Sequence, residues 1–282
     1  MTHNNHRLFT LACCCAATIA PAAHAEALNS ALHLGPVQML KLVIPQPLAS
    51  TRAEYAYVQP LHQGQADRLF VDAKPFAELR PLSGSGQDVP RLQATGQSTR
   101  IGYRRLVEGG SAFWGVSGGY DSLWQQGSYY QQVGAGLEIK RRNFEVVATA
   151  SLPFQVQDSS ANGQVPLAAL NLQVSLPTGV KGLAFEPRIY TVGSRETGTV
   201  LGTQMQFTYA TSRSSSATIS CNYDALGGVS GSLTLQIVFP QFSKQALESK
   251  IDPALIGSFT GPIGNNGSRV IRLNDSVPAI GN

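Results

Sequence analysis

The sequence predicts an all-β protein, a transmembrane up-and-down antiparallel β-barrel of about 12 strands. Three observations predict it. Charged residues make up 13% of the 282 residues, about half of the roughly 25% found in average globular proteins. No window approaches the roughly 18 consecutive apolar residues that a membrane-spanning helix requires. Short segments of alternating apolar and polar residues follow one another along most of the chain, which is the pattern of strands with one apolar face.

The first 25 residues predict a secretory signal peptide. A basic start at Arg7 precedes an apolar stretch over 8–20, and Ala23-His24-Ala25 is a small-residue cleavage site. Cleavage removes three of the four cysteines and leaves Cys221, which excludes an internal disulfide. Residues 26–36 then form a short periplasmic N-terminal segment. The formal charge of the whole chain is only +4, which is too small to indicate a nucleic-acid partner.

The earliest predicted strands are Val37–Pro45, Tyr55–Gln59, Leu69–Ala73 and Ile101–Arg105. The first of them alternates poorly and is predicted from parity. Outer-membrane barrels have short periplasmic turns and longer extracellular loops. If the long connection after the third strand faces outside, the strand from Tyr55 descends, so an earlier strand must ascend before it. Counting that strand gives an even number, with both ends of the barrel, residues 37–240, in the periplasm.

Alternation is clearest in the middle of the chain. In "AFWGVSGGYD", Trp114 and Tyr120 share an apolar face with Val116, and in "YYQQVGAGLEIK" Val133 and Leu137 do the same. "LNLQVSL" repeats the pattern. The remaining predicted strands are Phe144–Leu152, Leu183–Thr191, Leu201–Tyr209, Ala217–Tyr223 and Leu233–Phe239.

The polar faces of these strands favour an enclosed lumen. They carry mostly Gly, Ser, Thr, Gln and Asn, whereas a secreted soluble β-sandwich, the alternative that also alternates, would carry many Lys and Glu on its outer face. The few charges have both signs, so they could pair across an interior. The candidate lumen-facing residues are Asp72, Lys74, Arg100, Arg104, Gln132, Glu138, Glu145, Gln173, Glu186 and Arg188.

Aromatic residues near the ends of the apolar faces predict the two interfacial girdles of an outer-membrane barrel. The lipid-facing and girdle candidates are Tyr103, Trp114, Tyr120, Val133, Leu137, Phe144, Leu172, Phe207, Tyr209, Tyr223 and Phe239.

Enzymatic chemistry finds little support in the sequence. Ser117 lies in a Gly-x-Ser-x-Gly pattern, but within an alternating strand and without a following helix. Only His33 and His62 remain after cleavage, which argues against a histidine-based triad or metal site. We therefore expect no enzyme, no cofactor and no metal.

Two pairs of lumen candidates allow more than one interpretation. Arg100 and Arg104 could favour anions in a pore, but structural pairing with Glu138 or Glu145 is the preferred interpretation, because barrels of this size are largely filled by side chains. Glu186 and Arg188 lie two residues apart on one face and predict an internal salt bridge.

One run of motifs resembles a known family. Gly102-Tyr103-Arg104, Trp114-Gly115 followed by Tyr120-Asp121, Gly136-Leu137-Glu138 and Leu152-Pro153 are similar to the β-domain of inverse autotransporters, the intimin and invasin group. The resemblance implies an outer-membrane barrel, followed by a segment that returns through the lumen and carries an adhesive passenger to the cell surface.

The C-terminal tail, residues 241–282, departs from that pattern. It is too short for an immunoglobulin-like passenger domain of roughly 100 residues. Its first part, Phe242–Ile251, predicts a short helix that could plug the lumen, and the Gly- and Asn-rich remainder predicts a linker or strand fragment.

These features predict a surface anchor or plugged pore in the outer membrane of a Gram-negative type of cell, which includes cyanobacteria. The alternative is a non-specific, porin-like diffusion channel. The expected partners are outer-membrane lipid and lipopolysaccharide, the barrel-assembly machinery and periplasmic chaperones, with an unidentified surface partner and no nucleic acid.

Overall fold

A computed structural model describes residues 34–46, 51–64, 66–80, 91–125, 127–157, 164–194, 198–212, 214–225, 228–242 and 270–272. The predicted signal peptide over 1–25, most of segment 26–36 and the predicted tail helix after Phe242 lie outside these residues. Within the described ranges, no helix is long and apolar enough to cross a membrane.

The described residues form fourteen strands and one short 3₁₀ turn, Glu108–Gly110. The strands are β1 (Leu34–Gln46), β2 (Thr51–Gln63), β3 (Asp67–Arg80), β4 (Arg91–Val107), β5 (Ala112–Gln125), β6 (Ser128–Arg141), β7 (Phe144–Gln157), β8 (Gln164–Pro166), β9 (Ala168–Pro177), β10 (Leu183–Ser194), β11 (Gly198–Ala210), β12 (Ser215–Asp224), β13 (Gly228–Phe242) and β14 (Val270–Arg272).

Twelve of these strands form one closed antiparallel barrel, in the order β1-β13-β12-β11-β10-β9-β7-β6-β5-β4-β3-β2. The predicted fold class is confirmed. A single closed sheet replaces the two packed sheets of a β-sandwich, so that alternative is wrong. Closure satisfies the backbone hydrogen bonds of every strand without an open edge, which is what a strand structure in hydrocarbon requires.

The weakly alternating first strand is the one that closes the barrel. Leu40 of β1 lies opposite Ile237 of β13 on one side and Tyr55 of β2 on the other. Without β1, strands β2 and β13 would both present unpaired edges. The parity argument therefore predicts β1 correctly where its alternation does not.

The connections divide between two rims. At the terminal rim lie both ends of the barrel, Leu34 and Phe242, and the connections 64–66, 108–111, 142–143, 178–182 and 211–214. At the long-loop rim lie the strand ends that are joined by residues 47–50, 81–90, 126–127, 158–167, 195–197 and 225–227. The two longest connections, 81–90 and 158–167, are thus on the same side. This is the asymmetry between turns and loops seen in outer-membrane barrels.

The barrel is tall enough to span a membrane. β1 has 13 residues, and a strand of that length, rising roughly 3.3 Å per residue and tilted by roughly 40°, spans about 33 Å. The apolar band of an outer-membrane barrel is about 25 Å tall. β1 therefore exceeds that band at both rims, and the 10-residue strands β9 and β12 span about 25 Å, the height of the band itself.

Two bands of aromatic side chains lie on the outer surface, one near each rim. Near the terminal rim the ring centroids of Tyr103 and Trp114 lie 5.7 Å apart, and those of Phe185 and Phe207 lie 5.1 Å apart. Near the long-loop rim Tyr120 and Tyr129 share a hydrogen bond of 3.0 Å between their hydroxyls, and Tyr120 lies 6.3 Å from Phe154. These bands occupy the heights at which interfacial girdles lie.

Glycine on the inner face makes room for a large neighbour at Gly202. A Cβ added there would lie 2.4 Å from the Tyr190 ring of the neighbouring strand. The Tyr190 hydroxyl is in turn held by Asp224, to which it donates at 2.5 Å.

We expect Gly202→Ala to lower the free energy of unfolding by about 1–3 kcal/mol, because an added methyl group displaces a packed ring. Gly118→Ala is the matched control: it also lies within a strand, but nothing lies within 4 Å of the added Cβ. Urea unfolding of the two variants in lipid vesicles measures the difference. Equal losses would contradict the packing described at Tyr190.

A separate two-stranded sheet pairs β14, in the C-terminal tail, with β8, which lies between β7 and β9. β14 pairs antiparallel with β8, with Ile271 opposite Val165. β8 belongs to the connection at the long-loop rim, whereas β13, which precedes β14 in the chain, ends at the terminal rim. β14 therefore lies at the rim opposite to the one where β13 ends.

Candidate functional site in the barrel lumen

Alternation along the strands directs one set of side chains into the lumen, and the cross-strand register arranges them in rows. In one row Asp72 lies opposite Arg100, Arg100 opposite Gly119, and Gly119 opposite Gly134. The two glycines give the arginine its space, because an added Cβ would lie 2.5 Å from Arg100 Cγ at Gly119 and 3.3 Å from Arg100 Nη1 at Gly134.

Strands β3 to β6 form a charged sector of the lumen wall. Lys74 Nζ lies 2.9 Å from Asp72 Oδ2, and Arg100 Nη2 lies 3.2 Å from Asp121 Oδ2. All four side chains are buried. Gln132 Nε2 donates to the same Asp121 oxygen at 2.8 Å. Buried charges require partners of this kind, since desolvation without one costs several kcal/mol per ion.

The charged sector continues toward the terminal rim. Arg104 donates from Nε and Nη2 to the two carboxylate oxygens of Glu138, with Nη2 3.1 Å from Oε2. Lys140 donates to Glu145. The predicted structural ion pair is thus confirmed for Arg104, which binds Glu138. Arg100 takes Asp121 as its partner, in place of the predicted Glu138 or Glu145.

Strands β9 to β13 form a sector of mainly hydroxyl and amide side chains, which we call the amide sector. It also contains the charged residues Glu186, Arg188 and Asp224. The hydroxyls of Thr208 and Thr218 lie 2.9 Å apart, and those of Ser220 and Ser232 lie 2.7 Å apart. Most inward side chains here are half-buried, in contrast to the buried ions of the charged sector.

Glu186 and Arg188 do not form the predicted salt bridge. Glu186 accepts from Gln173 Nε2 at 3.1 Å and from Gln206. Arg188 donates to Asn171 and, at 3.2 Å, to Gln204. Glu186 and Arg188 thus each bind amide side chains of the neighbouring strands. The spacing of two residues does not itself prevent a pair, since Asp72 and Lys74 form one on β3.

At the long-loop rim an apolar cluster packs on the inner face of β10. Leu167 precedes β9 and packs against Tyr190 and Val192 of β10, and all three are buried. The bond from Tyr190 to Asp224 joins this cluster to β12. The sequence reasoning missed these residues, since Leu167 lies outside any alternating segment.

At the terminal rim a second apolar cluster is formed by Val37, Val58 and Phe70, with Val238 packed against it. Beside it lies Arg68, which is 1% exposed. The sequence reasoning missed Arg68 because it placed the strand start one residue later, at Leu69. Arg68 and Asp72 lie an even number of positions apart on β3, so the alternation of the strand predicts that Arg68 faces inward as Asp72 does.

The lumen candidates differ in burial. Asp72, Lys74, Arg100, Arg104 and Gln132 are buried, and Glu138, Glu145, Gln173, Glu186 and Arg188 are half-buried. Among the girdle and lipid candidates, the more exposed side chains are Trp114, Val133, Leu137, Leu172, Phe207, Tyr209, Tyr223 and Phe239, and the half-buried ones are Tyr103, Tyr120 and Phe144.

The residues considered for catalysis are not assembled into a centre. Ser117 lies within β5, and His62 is exposed at the end of β2, 3.9 Å from Asp67. No group of three or more potential metal ligands occurs within the part of the chain that the structure describes.

Comparisons with known proteins place the fold. No model of a protein family matches the chain, and no curated protein matches it. A solved membrane protein from work on in-meso crystallization superimposes on 83% of this chain and 98% of its own, with a TM-score of 0.63 and 10% sequence identity.

Two further solved barrels are similar at lower scores. The outer membrane phospholipase A of Escherichia coli covers 78% of this chain and 95% of its own, at 9% identity and a TM-score of 0.48. KdgM porin covers 72% of this chain and 99% of its own, at 6% identity and a TM-score of 0.45. At these identities the likeness concerns the fold alone. Nothing in it points to the inverse autotransporter group.

Proposed function

We propose that this protein is an outer-membrane channel of the porin type, through which small hydrophilic solutes diffuse without chemical change. The observation that carries the proposal is the division of the lumen wall. One sector is closed by buried ion pairs, and the opposite sector presents half-buried hydroxyl and amide groups.

The half-buried sector supports a water-filled passage. Gln204, Thr218 and Gln236 point inward, so the surface that they expose faces the lumen and not the bilayer. Hydroxyl and amide groups can exchange hydrogen bonds with passing water and solute, and they bring no net charge that would retain one solute. A passage along β10 to β13 would therefore be hydrophilic and of low selectivity.

The outer surface supports the location. The apolar side chains there and the two aromatic bands fit a bilayer bounded by two interfaces. With the terminal rim in the periplasm, the long connections face outward. We propose no catalytic role, because the described residues do not bring Ser117 of β5 and His62 of β2 together.

The test is conductance across a planar bilayer containing the purified, refolded barrel. We expect stepwise open currents. Gln204→Trp should reduce the current because its side chain fills the passage, whereas Met205→Trp, one residue along on the outward face, should leave the current unchanged. A bilayer that stays silent although the barrel is folded would overturn the channel.

A surface anchor is a second candidate, favoured by the pairing of β14 with β8. That pairing holds the tail at the long-loop rim, the side that faces outward in the proposed orientation. An epitope placed after Asn282 tests it on intact cells. We expect antibody to reach the epitope without permeabilisation, and an epitope accessible only in broken cells would exclude the anchor.

A further inference from the structure

Arg68 stands out among the inward charges at the terminal rim. It is 1% exposed, and none of its three guanidinium nitrogens has a hydrogen-bond acceptor among the residues that the structure describes. We propose that Arg68 is the binding group of an anion site in the lumen at the terminal rim. The proposed ligand is a small oxyanion, with inorganic phosphate as its simplest form.

The first support is the pairing of the neighbouring ions. On the described residues of β3 to β6, the other inward cations have carboxylate partners: Lys74 with Asp72, Arg100 with Asp121, Arg104 with Glu138 and Lys140 with Glu145. The carboxylates of these four pairs are thus already bound to another cation, and Glu78 of β3 lies 3.7 Å from Arg52. Among the residues that the structure describes, Arg68 is left as a buried positive charge without a counter-charge, the state that buried ions in proteins avoid.

The second support is the surroundings of Arg68. Arg104 lies directly opposite it on β4, already binds Glu138 and offers Arg68 no counter-charge. The Arg68 guanidinium lies 5.6 Å from the centre of the Phe70 ring, and Arg104 lies 4.6 Å from the same ring. Aromatic faces attract cations but cannot neutralise them. The apolar cluster of Val37, Val58 and Phe70 closes one side, so an anion here would be attracted in a medium of low dielectric constant.

The third support is the chemistry of the free group. An arginine with all of its donors unused presents a planar fork that matches two oxygens of a phosphate or a carboxylate. Arg68 is the second residue of β3 and lies next to the turn over 64–66, so an anion would enter from the terminal rim. The near-complete burial of the side chain limits the ligand to a small anion.

The test measures the thermal midpoint at which the refolded, mature chain in detergent loses its heat-modifiable migration. Sodium phosphate, sodium acetate and sodium chloride are compared at equal ionic strength. We expect phosphate to raise the midpoint of the wild type in a concentration-dependent manner. Stabilisation by acetate as well would widen the ligand class to carboxylates. Stabilisation by neither anion would overturn the site.

Two variants and a control identify the residue. Arg68→Gln should be at least as stable as the wild type in chloride, because it removes an uncompensated charge, and should lose the response to phosphate. A purely structural role for Arg68 predicts the opposite, a loss of stability in every salt. Arg68→Lys keeps the charge without the fork, and its phosphate affinity should fall roughly tenfold.

The control is Arg105→Gln, which removes an exposed arginine of the same rim and should retain the full response. An undiminished phosphate response in both Arg68 variants would place the binding elsewhere and overturn the proposal. This inference does not depend on an open channel, because the readout is stability. A silent bilayer would count against conduction and would leave the phosphate result standing.

Discussion

Leu172→Arg is expected to prevent the barrel from assembling in a bilayer. Leu172 lies at the middle of β9, points outward and is 48% exposed. An arginine on the lipid face near the midplane costs roughly 2–4 kcal/mol, and the neighbouring Leu170 and Ile189 offer no counter-charge. Val133→Arg on β6 should behave in the same way. The measurement is the fraction of chain that acquires heat-modifiable migration after refolding into lipid vesicles.

The matched control lies one residue further along the strand. Gln173 points into the lumen and donates to Glu186 at 3.1 Å. Gln173→Arg therefore places the new charge beside a carboxylate, and we expect assembly close to that of the wild type. Equal impairment by Leu172→Arg and Gln173→Arg would mean that the inward and outward faces of β9 are assigned wrongly.

Asp121→Asn is expected to give a large loss among lumen substitutions. The change keeps the shape of the side chain but leaves the buried Arg100 without its counter-charge, and it weakens the bond from Gln132. Removing one partner of a buried ion pair costs about 3–5 kcal/mol. Urea unfolding in vesicles should register that loss in the free energy of unfolding.

Two further variants test whether the loss comes from the Arg100–Asp121 ion pair or from any removal of a charge. Asp121→Asn combined with Arg100→Gln removes both charges and should recover most of the lost stability, because no uncompensated ion is left. Glu108→Gln breaks an exposed pair with Arg141 and should change stability little, as is usual for surface ion pairs. A double variant as unstable as the single one would contradict the pairing.

The barrel strands could be predicted from the sequence for a physical reason. Lipid on one side and a filled lumen on the other impose a period of two on every strand, and that period is visible without any structure. Where the period fails, as in Val37–Pro45, the need for an even strand number still locates the strand. β8 could not be found, because three residues are too few to show alternation. β14 lies within the tail remainder, for which the composition predicts a linker or strand fragment without locating the strand.

The lumen was only partly predictable. Alternation places a residue on a face but does not choose its partner, since that choice depends on register and strand stagger. Arg100 therefore pairs with Asp121, and Glu186 binds amides where a salt bridge with Arg188 is expected. Arg68 was missed because it lies at a strand end, and ends are the least certain part of any prediction from a pattern.

The pairing of β1 with β13 makes the first and last strands of the barrel neighbours. The hydrogen bonds between them can form only when the whole barrel sequence is present, because β13 is the last strand of the barrel along the chain. Contacts so distant in sequence also form slowly. A truncated chain that lacks β13 would keep two unpaired strand edges, which are open to pairing with other chains.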